Sequence, residues 1–166
     1  MSQRIVERML RAVGALSNVS AALAAACVAL IIALVFIEVV GRTFIGRSTM
    51  IADEMSGYLN VAVVFLGLAY TLKEKGFIRV EIVYRRFRGA MERIARWIIA
   101  LSSLLYVLVI VIYMTRHVRY SYTRGILSTN VAETPLWIPQ SLIVAGAVVL
   151  ALQILAYVLD RVRNLP

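Results

Sequence analysis

One cysteine and one histidine in 166 residues leave this chain with little of what metal and redox chemistry requires. Haem, zinc and iron–sulfur sites need several nitrogen or thiolate ligands converging on one point. Cys27 stands alone inside an apolar run, so no disulfide and no CxxC redox pair can form within the chain. His117 lies just past another apolar run, between Arg116 and Arg119, where a lone imidazole reads as an interfacial side chain. Acidic residues are scarce too, nine against 18 Lys and Arg, and none falls midway along an apolar run. An ion relay needs carboxylates at depth. Glu38 comes closest, near the outer end of the first run, and Arg42 one turn on makes it read as half of a surface ion pair.

Apolar sequence is what the chain has in plenty. Hydrophobic residues make up 61% of it and the mean hydropathy is +0.84, far above a soluble domain. Four runs contain no Asp, Glu, Lys or Arg: Ala12–Ile37, Met55–Leu72, Trp97–Thr115 and Leu136–Leu159. At about 1.5 Å of rise per residue, roughly 20 residues cross the hydrocarbon core, and all four qualify, the second only just. Strands of a membrane barrel would alternate polar and apolar positions, and stretches such as Leu104–Tyr113 do not. The expected fold is an all-α integral membrane protein, one domain over 1–166, with spans at about 14–38, 53–73, 95–116 and 136–159. The first run is too long for the apolar part of a secretory signal and ends in Glu38-Val39-Val40-Gly41-Arg42, so it reads as a retained span.

The surplus of positive charge is unevenly placed. Arg4, Arg8 and Arg11 precede the first span, Arg42 and Arg47 follow it, and Arg116, Arg119 and Arg124 follow the third. Arg161 and Arg163 close the chain. The second loop holds Lys73, Lys75, Arg79, Arg85, Arg86, Arg88, Arg93 and Arg96. Termini and second loop together outweigh the other side, which places both termini and that loop in the cytoplasm. The basic excess is thus a topology signal and a handle for phospholipid, with no nucleic acid implied.

Within the second loop, Val80, Val83, Tyr84, Phe87, Met91, Ile94 and Ala95 recur at helical spacing while most arginines fall elsewhere. Glu81–Arg85 and Glu92–Arg96 are favourable one-turn pairs. The segment at about 78–93 therefore reads as a basic amphipathic helix in the membrane plane, with Arg79, Arg85, Arg86 and Arg88 among head groups. Trp97 and Trp137 suit the two interfaces.

Polar residues inside the spans are few. Gly57 with Asn60, Gly67 two turns later, and Gly146 with Gln153 are candidates for helix–helix contact, the usual role of small and polar residues at depth. They do not line a path for a polar solute. The polar segment Arg116–Glu133 reads as the last outer loop. The fourth helix starts either at Pro135 with Thr134 as cap, or at Pro139, which cannot donate back to residue 135.

The second span and its flanks carry a family resemblance. Ala52-Asp53-Glu54-Met55-Ser56-Gly57-Tyr58, Phe65-Leu66-Gly67 and Gly76-Phe77-Ile78-Arg79-Val80-Glu81 together resemble the signature of the small membrane subunit of TRAP transporters, the DctQ type. Glu54, Tyr58, Phe65-Leu66-Gly67 and Ile78-Arg79-Val80 match position by position. Phe77 stands where His is common and Glu81 where Asp is common. Thr134-Pro135-Leu136-Trp137-Ile138-Pro139 with Gly146 and Gln153 is also similar. The resemblance implies a non-catalytic scaffold in a bacterial inner membrane, without cofactors, beside a large transport subunit. That subunit would use a sodium gradient to carry an organic acid captured by a periplasmic binding protein. Glu54, Gly57, Tyr58, Asn60, Gly67, Gly146 and Gln153 would then touch the partner's helices, and Arg42 and Arg47 would face the binding protein. A small self-contained exporter, a membrane redox subunit and an assembly subunit of another complex are the competing readings. Replacing Arg85, Arg86 and Arg88 together with Ala is expected to lower uptake or destabilise the complex. Unchanged uptake with an intact complex would rule out the in-plane arm.

Overall fold

A helix in hydrocarbon satisfies its backbone hydrogen bonds internally, and each of the four apolar runs does so. The computed structural model describes residues 2–46, 48, 50–74, 76 and 90–163. They form α1 (Ser2–Val40) continued by a π-helical turn (Gly41–Ile45), α2 (Ile51–Lys73), α3 (Ala90–Thr123) and α4 (Trp137–Arg163). All four helices are long and apolar enough to cross a membrane, so this is a multi-pass helical membrane protein. Strand pairing among the described residues is limited to one bridge between Leu127 and Pro135.

Two helices overrun the bilayer. With 39 residues α1 is about 58 Å long, so its first turns, with Arg4 and Arg8, project beyond the hydrocarbon. Residues Arg116–Thr123, read from the sequence as loop, continue α3 instead. Gly125 ends it. At φ 57° it lets the amides of Ile126 and Gly125 turn back to the carbonyls of Ser121 and Tyr122, at 3.0 and 3.2 Å. The fourth helix starts at Trp137, between the two starts that the prolines suggested, with Pro139 in the first turn where its missing N–H is harmless. Of the in-plane segment, residues 77–89 lie outside the described residues, and Ala90 already belongs to α3.

Helix α4 is the hub. It packs against α1, α2 and α3, α1 packs against α2, and α3 is held by α4. A third of α4's spanning window is buried (33%) against 6% of α3's, which makes α3 the peripheral helix. Ala69 of α2, Val107 of α3 and Ala147, Leu150, Ala151 and Ile154 of α4 form the larger core. Ala24, Ala62 and Leu66 form a smaller one between α1 and α2, flanked by Cys27 and Leu142.

Because lipid is as apolar as leucine, these helices adhere through close backbone approach and hydrogen bonds. On α1, Ser17, Ser20, Ala24, Cys27, Ile31, Leu34 and Glu38 alternate at spacings of three and four and are the seam turned inward. Ser20 Oγ donates to the Leu66 carbonyl of α2 at 2.6 Å. Ser17 Oγ lies 3.1 Å from the Val13 carbonyl and 3.0 Å from the Gln153 side chain of α4. One hydroxyl proton cannot serve both, so the Gln153 amide turned to donate to Ser17 satisfies the set. At the inner end Lys73 Nζ donates to Asn18 Oδ1 at 2.5 Å.

Helices α2 and α4 approach closely enough for backbone contact. A Cβ built on Gly146 would sit 2.5 Å from the Phe65 carbonyl carbon and 2.6 Å from its oxygen, so the two backbones touch. Gly146→Ala is therefore expected to cost about 1–3 kcal/mol, seen as a lower unfolding midpoint in detergent. Gly57→Ala, where the added methyl meets open space, should not lower it. Equal losses from the two changes would contradict this packing.

Candidate functional site at the outer end

Two carboxylates organise the end of α1 and the start of α2, on the side of the bundle expected from the charge distribution to face outward. Glu38, at the end of α1, is buried, which moves it from the expected surface to the interior edge of its pair with Arg42. Arg42 Nη2 donates to Glu38 Oε1 and to Ser48 Oγ, each at 3.2 Å, and Ser48 Oγ in turn donates to Glu38 Oε1. The Met50 amide donates to Ser48 Oγ, so the α1–α2 connection is folded over the Glu38 carboxylate. The π-helical turn places Arg42 for this. Its extra residue per turn rotates the side chains that follow, a distortion common near functional positions.

Glu54, in the first turn of α2, is the second buried carboxylate. The positive end of the helix dipole favours a negative charge there. Tyr58 OH, one turn on, donates to Glu54 Oε1 at 2.9 Å. The hydroxyls of Ser128 and Thr134 and the Ala132 amide also face this carboxylate. Geometry of a full bond is reached only by Tyr58: Glu54 Oε2 and Thr134 Oγ1 are buried without a formed hydrogen bond.

Those facing groups come from a small hairpin between α3 and α4. The Leu136 amide donates to the Ile126 carbonyl at 3.1 Å and the Ser128 amide to the Thr134 carbonyl at 2.9 Å. At its tip the Asn130 amide donates to Ser128 Oγ, and Glu133 adopts a left-handed backbone, φ 44°. Tyr122 of α3 meets the Trp137 ring edge-on at 5.6 Å, and Arg124 lies over the Tyr120 ring at 5.7 Å. The hairpin is thereby clamped over the start of α2.

The residues singled out from sequence have different places in the structure. Gly146 and Gln153 make contacts within the chain, to Phe65 and Ser17. Gly57 and Asn60 are exposed and Gly67 half-buried, and both glycines have open space beside them. Glu54 and Tyr58 bond to each other. Trp97 and Trp137 are half-buried near opposite ends of the spans. Arg42 is exposed but tied to Glu38. Arg47, Arg79, Arg85, Arg86 and Arg88 lie outside the described residues. Sequence reasoning missed Ser17 and Ser20, whose signal is the three-and-four alternation with Ala24 and Cys27. It also missed Ser128 and Thr134, for which no local signal exists.

Among the described residues no group of three His, Cys, Asp or Glu could hold a metal ion. Glu38 holds the α1–α2 connection, and Glu54 is bonded to Tyr58 of its own helix. Fold and site together define a small multi-pass membrane subunit whose polar groups tie helices and loops together. Comparison with protein families identifies which: residues 31–164 match the profile of the DctQ component of tripartite ATP-independent periplasmic transporters, and the chain belongs to that family. No curated protein matched the chain individually.

Glu54→Ala removes the acceptor on which the hairpin converges and is expected to cost about 1–3 kcal/mol of local stability. Hydrogen exchange at the Ser128 and Leu136 amides should accelerate accordingly, with Tyr58→Phe giving a smaller change. Unaltered exchange in Glu54→Ala would show that the hairpin stands without the carboxylate.

Proposed function

We propose that this chain is the static scaffold of a three-component secondary transporter, set in a bacterial inner membrane with both termini and the 74–89 connection in the cytoplasm. It catalyses no reaction and holds no cofactor. A large membrane subunit beside it moves an organic acid with a sodium gradient, and a periplasmic binding protein delivers that acid. Membership of the DctQ family supports the partnership.

The observation that carries the scaffold role is where the polar side chains go. Ser17, Ser20 and Gln153 join helices of this chain, Glu38 fastens the α1–α2 connection, and Glu54 is held by Tyr58 one turn along α2. What remains exposed within the spans, Asn60 and a few hydroxyls, does not line a polar path. A subunit so built resists deformation, which suits a fixed frame against which a partner moves. The inner basic segment, with Arg79, Arg85, Arg86 and Arg88, would hold it at constant depth through anionic head groups. Arg42 and Arg47 would face the binding protein on the outer side, where exposed charge mainly tunes association rate.

Reconstitution tests this directly. Proteoliposomes with the large subunit and the binding protein should take up the acid in a sodium-dependent way only when this chain is included, with at least a roughly tenfold loss in its absence. Transport by this chain alone would instead establish the self-contained exporter.

A further inference from the structure

We propose that a groove between α2 and α3, floored by α4, seats one transmembrane helix of the large subunit. This rests on the scaffold reading above and adds to it where the partner sits and what that helix must carry. Two stripes mark the groove. On α3, Tyr106, Tyr113 and Tyr120 recur every seven residues and are 67%, 64% and 53% exposed. On α2, Asp53, Asn60 and Gly67 recur at the same interval, the first two exposed. Seven residues is the interval at which helices in left-handed packing meet along their length.

Helical phase turns these faces toward one cleft. At 100° per residue, the exposed arc of α2 (Asp53, Gly57, Asn60, Val61 and Val64) is centred roughly a right angle from Phe65 and Leu72, which pack on α4. It lies on the side away from Leu66 and Ala62, which pack on α1. On α3, Tyr106 lies roughly 110° from the centre of the face that Leu104, Val107, Ile110 and Val111 turn to the core shared with α4. Around α4, Gln153 and Gly146 share the face that meets α1 and α2, and Ala147, Ala151 and Ile154 lie roughly 120° round from it, toward α3. Since α2 runs parallel to α4 and α3 antiparallel, these phases aim both faces into the cleft between α2 and α3.

Chemistry separates this cleft from a lipid-facing surface. Exposed positions on the spanning part of α4 are aliphatic, as at Val148, Leu152 and Leu155, and those of α1 are largely so, as at Leu23 and Leu30, with the apolar ring of Phe36 beside them. Tyr106 instead sits ten residues into a 27-residue span, near mid-depth. Neither its hydroxyl nor that of Tyr113 has a hydrogen-bond partner among the described residues. Hydrocarbon offers a phenol none, and lipid-facing tyrosine belongs at the interface. Just above, Arg116 and Arg119 are exposed and form no ion pair among the described residues. The occupant that complements this wall is a helix with hydrogen-bond acceptors at mid-depth and a carboxylate at its outer end.

Photo-cross-linking in membranes containing all three components tests the assignment. With p-benzoylphenylalanine at Tyr106 or Tyr113, adducts should form between this chain and the large subunit, and not from Leu101 or Leu108 on the far side of α3. Adducts between two copies of this chain, or the absence of any protein adduct while the large subunit still co-purifies, would overturn the groove assignment alone. Failure of the large subunit to co-purify with the unmodified chain would overturn the scaffold reading and this inference with it. The double variant Tyr106→Phe, Tyr113→Phe keeps the packing and removes the hydroxyls. It should retain the large subunit roughly five- to tenfold less well, and undiminished retention would refute the hydrogen-bonding role.

Discussion

Hydrocarbon gives apolar side chains no reason to prefer one another, so this fold depends on the few places where helices approach closely enough to exclude lipid. The Gly146–Phe65 contact is one of them. It brings α4 against the α2 backbone, and from that position α4 can reach both the Ser17 side of α1 and the Val107 side of α3. A side chain at residue 146 would push α4 outward, and lipid would fill the gap at the cost of the packing and hydrogen bonds lost. In a soluble protein the surrounding water would oppose such a separation; here only packing and a handful of hydrogen bonds do.

Both connections at this end of the bundle meet a buried carboxylate at a helix terminus. Glu38 lies under the α1–α2 connection, where Ser48 donates to it, whereas Glu54 takes its formed hydrogen bond from Tyr58 of its own helix with the hairpin hydroxyls standing close. For Glu38, closing the connection and satisfying the acid are coupled.

Much of this was legible in the chain itself. Four charge-free runs announced four spans, because burying an ion in lipid costs too much for the pattern to arise otherwise. The resemblance around Glu54, Tyr58 and Phe65-Leu66-Gly67 named the family that the profile comparison found. Helix ends were less readable. Arginine at 116 and 119 marks where lipid stops and not where α3 stops, and Pro135 and Pro139 each permit a start that the backbone takes at Trp137. The seam through Ser17, Ser20 and Ala24 looks like filler until its neighbours are known. The convergence of Ser128 and Thr134 on Glu54 joins residues more than seventy positions apart, which no local pattern encodes.

The peripheral place of α3 has a consequence for how the protein is made. Helices α1 and α2 emerge first from the ribosome and can pair at once through Ser20 and Leu66. Helix α3 emerges next, but the element that holds it, α4, has not yet been synthesised. During that interval α3 stands in the bilayer without a partner, committed by its own hydropathy, which its apolar spanning window supplies. Insertion and assembly are thus separate events for this helix, and its tyrosines remain accessible to a neighbouring chain while the bundle is still incomplete.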